Sequence, residues 1–284
     1  MFVKIWKDEI LTTFNSLIHF IVWHLIKKYQ VQLSNPVLIY QMGKVASSSI
    51  YESIKATGNV NVFHLHRLNP ENIKQVKQEH LLRGASPPDE KLGHYLYKNL
   101  ILSNRDQIKI ISLVREPIGR NISAYFQNLK SFEFIKNAHQ TIEIDQMIEK
   151  FLRNYSHNVP LTWFDNELHA TVGIDVYKNI FLQKQGYQII HEPPYNLLIM
   201  RHDLYDPLKE NLIRDFLNLK SFHLLRTNVS SSKEYAEKYK EFITSIKIPV
   251  EYSERMLSSK YASHFFSDEE LFDIHRKWTG VQQT

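Results

Sequence analysis

The sequence predicts an α/β protein in which helices flank a P-loop-like parallel sheet. Five short apolar runs alternate along the chain with segments of helical spacing, and strands that alternate with helices are typical of parallel sheets. Each run also ends in Lys and Ser, His, Arg or Asn residues. Because ligands bind at the carboxyl edge of an open parallel sheet, these polar ends predict where the functional site lies.

Size and composition favour one large domain with an anionic partner. The chain has 284 residues, and its 35 Lys and Arg residues exceed its 30 Asp and Glu residues by five. This excess suits an anionic ligand, an acidic polymer or a membrane surface, but it is too small and too dispersed to indicate nucleic acid binding. Cysteine is absent, which excludes disulfides and thiolate metal sites and agrees with a reducing compartment such as the cytoplasm.

Residues 1–34 are predicted to form an N-terminal segment distinct from a single α/β domain over residues 35–284. Residues 10–26 contain no Lys, Arg, Asp or Glu and precede two lysines. This 17-residue stretch includes Thr, Asn, Ser and His, so it is marginal for a membrane span, and no small-residue cleavage site follows it. We therefore expect an amphipathic helix that either lies on a membrane, through residues 5–28, or packs on the surface of the domain.

The first strand–loop–helix unit offers a phosphate site. Residues 37–40 form a predicted strand, a tight loop follows, and a helix then runs to Gly58. The loop places a glycine, a lysine and three hydroxyls at the positive end of the helix dipole, where phosphates bind. Its residues are Gly43, Lys44, Val45, Ala46, Ser47, Ser48 and Ser49. It is not a Walker A loop, since valine follows the lysine, and an ordinary turn with serines as helix caps explains it equally well.

Two further strand–helix units follow the first. Residues 60–63 contain two valines and a phenylalanine, which predicts a strand with histidines at its end. Residues 108–114 are apolar enough for a buried parallel strand. Pro117 suits the first turn of the next helix, whose apolar residues recur at helical spacing to residue 129. Between these units lie a polar segment with helical spacing over residues 71–82 and a predicted helix over about residues 95–103.

The second half of the chain is predicted to be mostly helical. Residues 132–190 have the pattern of a largely helical insertion, rich in aromatic residues, His, Asp and Glu. Two more apolar runs predict strands over residues 197–200 and 222–225. The remaining predicted helices cover residues 207–217, 232–246 and, within the C-terminal tail, 251–278.

A second anion site is predicted at the third strand. Arg115 directly follows this strand, and Ser123 lies about two helical turns further on. A guanidinium group forks onto phosphate oxygens, so this pair could grip a second phosphate. Two anion sites on neighbouring units suggest a nucleotide with phosphates at both ends. The alternative is that Arg115 pairs with Glu116 or with a helix carboxylate and that Ser123 is a small packing residue.

The motifs resemble those of sulfotransferases that use 3′-phosphoadenylyl sulfate (PAPS). Lys44–Ser49 resembles their 5′-phosphosulfate loop, and Val114–Tyr125 resembles their 3′-phosphate segment. Phe63–His66 is similar to the Phe-His-x-His run of uronyl and heparan 2-O-sulfotransferases. The resemblance covers about residues 36–130. It extends more weakly to about 278, where Trp163–Asp165 and the aromatic tail resemble bacterial capsular-polysaccharide sulfotransferase-like proteins. Gly43, Val45 and Ala46 depart from the usual loop, and Glu116 replaces the commoner Asp.

The resemblance implies transfer of a sulfuryl group from PAPS to a carbohydrate hydroxyl of a surface polysaccharide or glycolipid precursor. His66 would be the base, with His64 in reserve, and Lys44 would stabilise the departing phosphate. The loop would hold the 5′-phosphate, and Arg115 and Ser123 would hold the 3′-phosphate. Apart from the resemblance, Asn228 and Lys233 after the fifth predicted strand could close over the nucleotide, although a loop followed by a solvated helix explains them better. No metal is implied, because a sulfuryl group carries less charge than a phosphoryl group. The protein is expected in the cytoplasm or peripherally on the inner membrane.

Other polar residues are weaker candidates. Asp165, Glu167, His169 and Asp175 are of metal-ligand types without a recognised spacing, and we expect them to be acceptor contacts or plain surface, as with His94. The aromatics around Trp163 either stack on sugar rings or anchor the insertion. Two other functions stay open: an ATP-dependent P-loop phosphotransferase, and a non-catalytic factor for polysaccharide assembly.

Overall fold

The computed structural model describes residues 35–82, 84, 87–103, 107–129, 138–225 and 234–281. The predicted helix within residues 1–34 and the predicted contacts of Asn228 and Lys233 lie outside these residues. Within the described part of the chain, no helix is both long enough and apolar enough to cross a membrane.

A five-stranded sheet forms the centre of the fold. Its strands are β1 (Val37–Tyr40), β2 (Val62–Leu65), β3 (Ile108–Val114), β4 (Tyr187–Glu192) and β5 (Tyr195–Arg201). They are arranged in the order β2-β1-β3-β5-β4. All neighbours are parallel except β4, which runs antiparallel to β5 at one edge. The predicted class, an α/β protein with a mostly parallel sheet flanked by helices, is confirmed.

Helices connect and cover the strands. In chain order they are α1 (Ser47–Ala56), α2 (Pro70–Leu82), α3 (Lys91–Leu96), α4 (Pro117–Gln127), α5 (Ala138–Thr141), α6 (Ile144–Asn154), α7 (Val159–Trp163), α8 (Ala170–Val172), α9 (Asp206–Leu217), α10 (Ala236–Ser245), α11 (Val250–Leu257), α12 (Lys260–Phe265) and α13 (Asp268–Thr279). π-helical turns follow α3 at Tyr97–Ile101 and α7 at Phe164–His169, and a short 3₁₀ turn covers Val176–Lys178.

Three sequence predictions of secondary structure are wrong. Strand β2 begins at Val62 rather than residue 60, so His64 lies within the strand. Residues 222–225 do not form a strand, because the Leu224 and Leu225 amides donate to side chains of Glu210 and Ser53 instead of a neighbouring strand. The predicted helical insertion over 132–190 ends in strand β4, whose single fully buried residue, Ile190, gives it a weak strand pattern.

The core consists of two clusters of buried apolar side chains. The larger surrounds the sheet, and the second packs α4 against the helices that follow it. Tyr125 and Phe126 of α4, Phe151 of α6 and Phe242 of α10 form the centre of this second cluster. Trp278 of α13 belongs to it as well. The position of α4, which carries the predicted Ser123, is therefore fixed by packing on its far side.

Next to the second cluster, His157 is buried and neutral. Its Nε2–H donates to the Phe151 carbonyl (2.9 Å), which leaves Nδ1 to accept from the Tyr252 hydroxyl (2.8 Å). Burial lowers the pKa of His157 to about 4, and Arg255 contributes to the shift. Both ring nitrogens are satisfied only in the neutral form as arranged here.

Acidification is expected to destabilise the fold through His157. An unfolded chain protonates histidine below about pH 6.5, whereas the folded chain does so only near 4. Between these values the unfolded state holds more protons, so stability falls as the pH is lowered from 6.5 towards 4. Urea unfolding should show His157 contributing a loss of roughly 1–2 kcal/mol between neutral pH and pH 5. His157→Phe should show a shallower dependence, and equal slopes in the two proteins would contradict this account.

Candidate active site

The loop after β1 has a strained backbone held by two arginines. Lys44 and Ala46 adopt positive φ angles of 75° and 63°, which non-glycine residues rarely do and which cost of order 1–3 kcal/mol each. Arg120 Nε donates to the Gly43 carbonyl (3.0 Å), and an Arg115 Nη atom donates to the Lys44 carbonyl (3.2 Å). The two predicted anion sites are therefore in direct contact on one side of the sheet.

Helix α4 lies along this loop. Besides the contact of Arg120 with Gly43, the Lys44 ammonium donates to Gln127 Oε1 (3.2 Å). Ser123 follows Arg120 by three residues and precedes Gln127 by four, so helical spacing puts it on the same face as these loop contacts. Ser123 is half-buried. Lys44, Arg115 and Ser123 thus share one region of the surface.

Two aromatic residues from the C-terminal helices fix the start of α4. The buried Tyr261 hydroxyl accepts from the Arg115 amide (3.1 Å) and donates to the Arg115 carbonyl (2.7 Å). The Glu116 carboxylate caps α4 by accepting from the amides of Ile118 and Gly119, and Trp278 Nε1 also donates to it (3.1 Å). A side chain at position 119 would collide with this carboxylate. Glu116 thus serves as the helix cap, and Arg115 instead contacts the loop.

Gln41 organises the two histidines and was not predicted as a site residue. It is fully buried at the end of β1, and its carbonyl is 3.0 Å from His66 Nδ1. A carbonyl only accepts, so Nδ1 carries the proton and the Nε2 lone pair of His66 is left open. This nitrogen faces the loop, since a β-carbon on Gly43 would lie 3.6 Å from it. A lone glutamine in a loop gives no pattern by which the sequence could reveal this role.

His64 is held within the structure rather than presented to a ligand. Its Nε2 lies 3.1 Å from Gln41 Nε2 and 2.9 Å from Ser47 Oγ. Gln41 Nε2 only donates, so His64 Nε2 accepts and its lone pair is already engaged. The ring also stacks on Tyr51 at 5.3 Å between centroids. Of the two predicted bases, His66 therefore has the better geometry.

His66 is neutral near pH 7. The His66 side chain is exposed to solvent on one side, yet the Gln41 carbonyl and the His64 ring crowd it on others. This crowding, together with the nearby His64, lowers the pKa of His66 to about 4, and Arg67 and Arg120 act in the same direction. A general base must be unprotonated to accept a proton, so His66 is in the required form throughout the neutral range.

The serines of the loop differ in exposure. The Ser47 side chain is buried and bonds to Gln41 and His64, so its hydroxyl points inward. Ser48 and Ser49 are half-buried in the first turn of α1. Val45 is fully buried and Ala46 is exposed, so the former contributes packing and the latter lies at the surface of the loop. The first turn of α1 contains no acidic residue, which suits an anion at this helix end.

A buried carboxylate, Glu167, underlies the ends of β1 and β2. The hydroxyl of Tyr40 and the side-chain amide of Asn72 donate to it. It also accepts from the amides of Leu68 (2.8 Å) and Asn69 (3.1 Å). Burial raises the pKa of Glu167, while these hydrogen bonds oppose the shift. The prediction of an acceptor contact or a surface position is therefore wrong for Glu167, since it ties four segments together.

The other weak candidates have structural or surface positions. Trp163 is buried and donates to the His66 carbonyl (2.9 Å), so it anchors the insertion and is not open for stacking on sugars. Asp175 caps a short turn by accepting from the Tyr177 amide (3.1 Å). His94 and His169 are exposed. Among the described residues, no group of three or more His, Cys, Asp or Glu side chains could hold a metal ion.

Comparison with known proteins adds one finding. Residues 135–267 match the model of the NKWYS family, described as "Putative capsular polysaccharide synthesis protein". This match covers slightly less than half of the chain and includes Trp163 and Glu167 but not the loop or the two histidines. No curated protein matches the chain, and no solved structure does. Over residues 135–267, the chain is thus similar to a family described by its part in capsular polysaccharide synthesis.

Proposed function

We propose that the protein transfers a sulfuryl group from PAPS to a hydroxyl of a carbohydrate acceptor in capsular polysaccharide synthesis. The observation that carries the proposal is the meeting of Lys44, Arg115 and His66 around one strained loop at the carboxyl edge of the sheet. The similarity of residues 135–267 to a capsular polysaccharide synthesis family supports the acceptor class.

In this proposal, the loop and α1 contact the 5′-phosphate of the nucleotide, whereas Arg115 and α4 contact its 3′-phosphate. The first turn of α1 offers backbone N–H groups and the hydroxyls of Ser48 and Ser49 to the 5′-phosphate. Arg115 and Ser123 bind the 3′-phosphate, for which a guanidinium gives charge-assisted hydrogen bonds. In this proposal Ser47 contributes its backbone N–H, because its hydroxyl is engaged with Gln41 and His64.

Transfer proceeds in line at the sulfur atom. His66 Nε2 takes the proton of the acceptor hydroxyl as the acceptor oxygen forms a bond to sulfur. The bond between sulfur and the bridging phosphate oxygen breaks, and adenosine 3′,5′-bisphosphate leaves with that electron pair. Lys44 stabilises the negative charge that develops on the departing oxygen.

Calorimetry with adenosine 3′,5′-bisphosphate and with ATP·Mg²⁺ tests the nucleotide. We expect the bisphosphate to bind without metal and more tightly than ATP·Mg²⁺. Arg115→Ala should weaken this binding about 10–100-fold, since charge-assisted hydrogen bonds contribute about 1.5–3 kcal/mol. Arg153→Ala is the matched control, because Arg153 is an exposed residue of α6 paired with Glu149.

Two results of this experiment would count against the proposal. A preference for ATP·Mg²⁺ would instead support a phosphotransferase. Equal affinity of Arg115→Ala and Arg153→Ala for adenosine 3′,5′-bisphosphate would show that Arg115 does not bind the nucleotide. Because Arg115 also holds the Lys44 carbonyl, thermal unfolding of Arg115→Ala should be compared with the wild type to show that the fold is retained.

A further inference from the structure

An open groove lies beside the end of β2, between α2 and the π-helical turn at Phe164–His169. Its volume is about 550 Å³. Its lining is mainly polar and consists of Asn69, Glu71, Asn72, Lys74, Gln75, Gln78, Asp165, Asn166 and Ala170. The groove does not include the loop after β1, but Asn69 follows His66 by three residues. Three residues of extended chain span at most about 11 Å, so the groove begins close to the proposed base.

The chemistry of the lining selects a class of ligand. Five of the nine lining residues are Asn or Gln, whose amides both donate and accept hydrogen bonds. A sugar hydroxyl also does both. Asn69, Asn72 and Gln75 each use part of this capacity within the protein, which leaves their remaining donors and acceptors and those of the other two to a ligand. The charged residues of the lining are one lysine, Lys74, and two carboxylates, Glu71 and Asp165. The groove therefore has no excess of positive charge that would attract a phosphate or an acidic polymer. None of these nine lining residues is aromatic.

The walls of the groove are held together by the residues beneath it. Asn69 Nδ2 donates to the Asn166 carbonyl (3.0 Å), which joins the start of α2 to the π-helical turn. Glu167 of the π-helical turn, under the groove, accepts from the Asn69 amide and from the Asn72 side chain at the start of α2, so it joins the same two walls. Trp163 joins this region to His66 through the hydrogen bond to the His66 carbonyl. A ligand in the groove would therefore have a fixed relation to His66.

We infer that this groove binds a neutral oligosaccharide chain and presents one of its hydroxyls to His66. This assignment rests on the proposed function, because it names the acceptor side of that same site. The exposed positions on α2 that line the groove, Glu71, Lys74, Gln75 and Gln78, follow helical spacing and so form one continuous face. Such a face contacts several sugar units along a chain.

Saturation-transfer NMR with two neutral chains, maltoheptaose and chitopentaose, and one acidic chain, a hyaluronan octasaccharide, tests this inference. Gln78→Trp fills the groove from an exposed position. Lys77→Trp is the matched control, since Lys77 is the neighbouring exposed residue and lies outside the lining. We expect a neutral chain to bind the wild type and Lys77→Trp alike, and Gln78→Trp to bind it at least about 10-fold more weakly. Binding of adenosine 3′,5′-bisphosphate should be equal in all three proteins.

The outcomes separate this inference from the proposed function. Binding of hyaluronan alone, absence of binding by both neutral chains, or equal loss in the two Trp variants would overturn the groove assignment. If the wild type transfers sulfuryl groups but Gln78→Trp has an unchanged KM for its acceptor, the groove assignment is wrong and the enzyme proposal stands. If the wild type prefers ATP·Mg²⁺ while Gln78→Trp still loses the neutral chain, the groove assignment stands and the sulfotransferase proposal is wrong.

Discussion

His66→Ala is expected to reduce the proposed sulfuryl transfer by orders of magnitude while nucleotide binding is retained. General base catalysis contributes about 10²–10⁴-fold to such reactions, so kcat should fall by that factor. The proposed contacts to both phosphates come from the loop, α1, Arg115 and α4, and none comes from His66, so adenosine 3′,5′-bisphosphate should bind the variant within a few-fold of the wild type. A radiolabelled-donor assay with calorimetry on the same preparations measures both quantities.

His64→Ala is the matched comparison for this prediction. His64 accepts hydrogen bonds from within the structure and lies beside Ser47, so its loss should disturb the loop and weaken nucleotide binding more than His66→Ala does. If His66→Ala retained transfer and His64→Ala lost it with binding intact, His64 would be the base. Transfer by both variants would place the base elsewhere.

Glu167→Ala is expected to destabilise the fold strongly. It leaves the Tyr40 hydroxyl, the Asn72 amide and two backbone N–H groups without their acceptor in a buried region. Loss of one partner of a buried charged network costs about 3–5 kcal/mol. At about 2–4 °C per kcal/mol for a protein of this size, the midpoint of thermal unfolding should fall by about 6–20 °C. Glu71→Ala, an exposed carboxylate nearby, should change it little.

A double-mutant cycle with Tyr40→Phe tests whether the network is the cause. Tyr40→Phe removes a hydroxyl that donates to Glu167 and leaves the ring in contact with Trp163, 5.0 Å away. If the two residues act together, the double variant should be more stable than the sum of the single losses predicts, by roughly 1 kcal/mol or more. Strict additivity would show that Glu167→Ala destabilises the protein by another route.

The regular spacing of apolar residues predicted most of the fold. The features that were missed depend on contacts that do not recur at a regular spacing. Strands β1 and β3 were correctly bounded because every residue of β1 and nearly every residue of β3 is buried. Strand β4 was missed because an edge strand with one buried residue has no clear alternation. Glu167 was misjudged, although Phe164 and Leu168, three residues before and one after it, put it on a buried helical face.

The candidate site was predictable only in part for the same reason. Lys44, Arg115 and His66 could be predicted as site residues because they follow apolar runs, and polar residues after apolar runs are visible in the sequence. The contacts that distinguish His66 from His64 come through Gln41, and no spacing rule connects a single glutamine to two histidines more than twenty residues away. Tertiary structure supplies that information.

The order in which the chain is synthesised bears on when this site can form. Arg115 and Glu116 take their positions from Tyr261 of α12 and Trp278 of α13. A nascent chain that has already emerged past β5 contains the loop, both histidines and Arg115, yet lacks the two side chains that set the geometry of the arginine. The proposed nucleotide site therefore takes its final geometry only after Tyr261 and Trp278 have been synthesised, and a ribosome stalled before Tyr261 would display a chain with the parts of the site but not its arrangement.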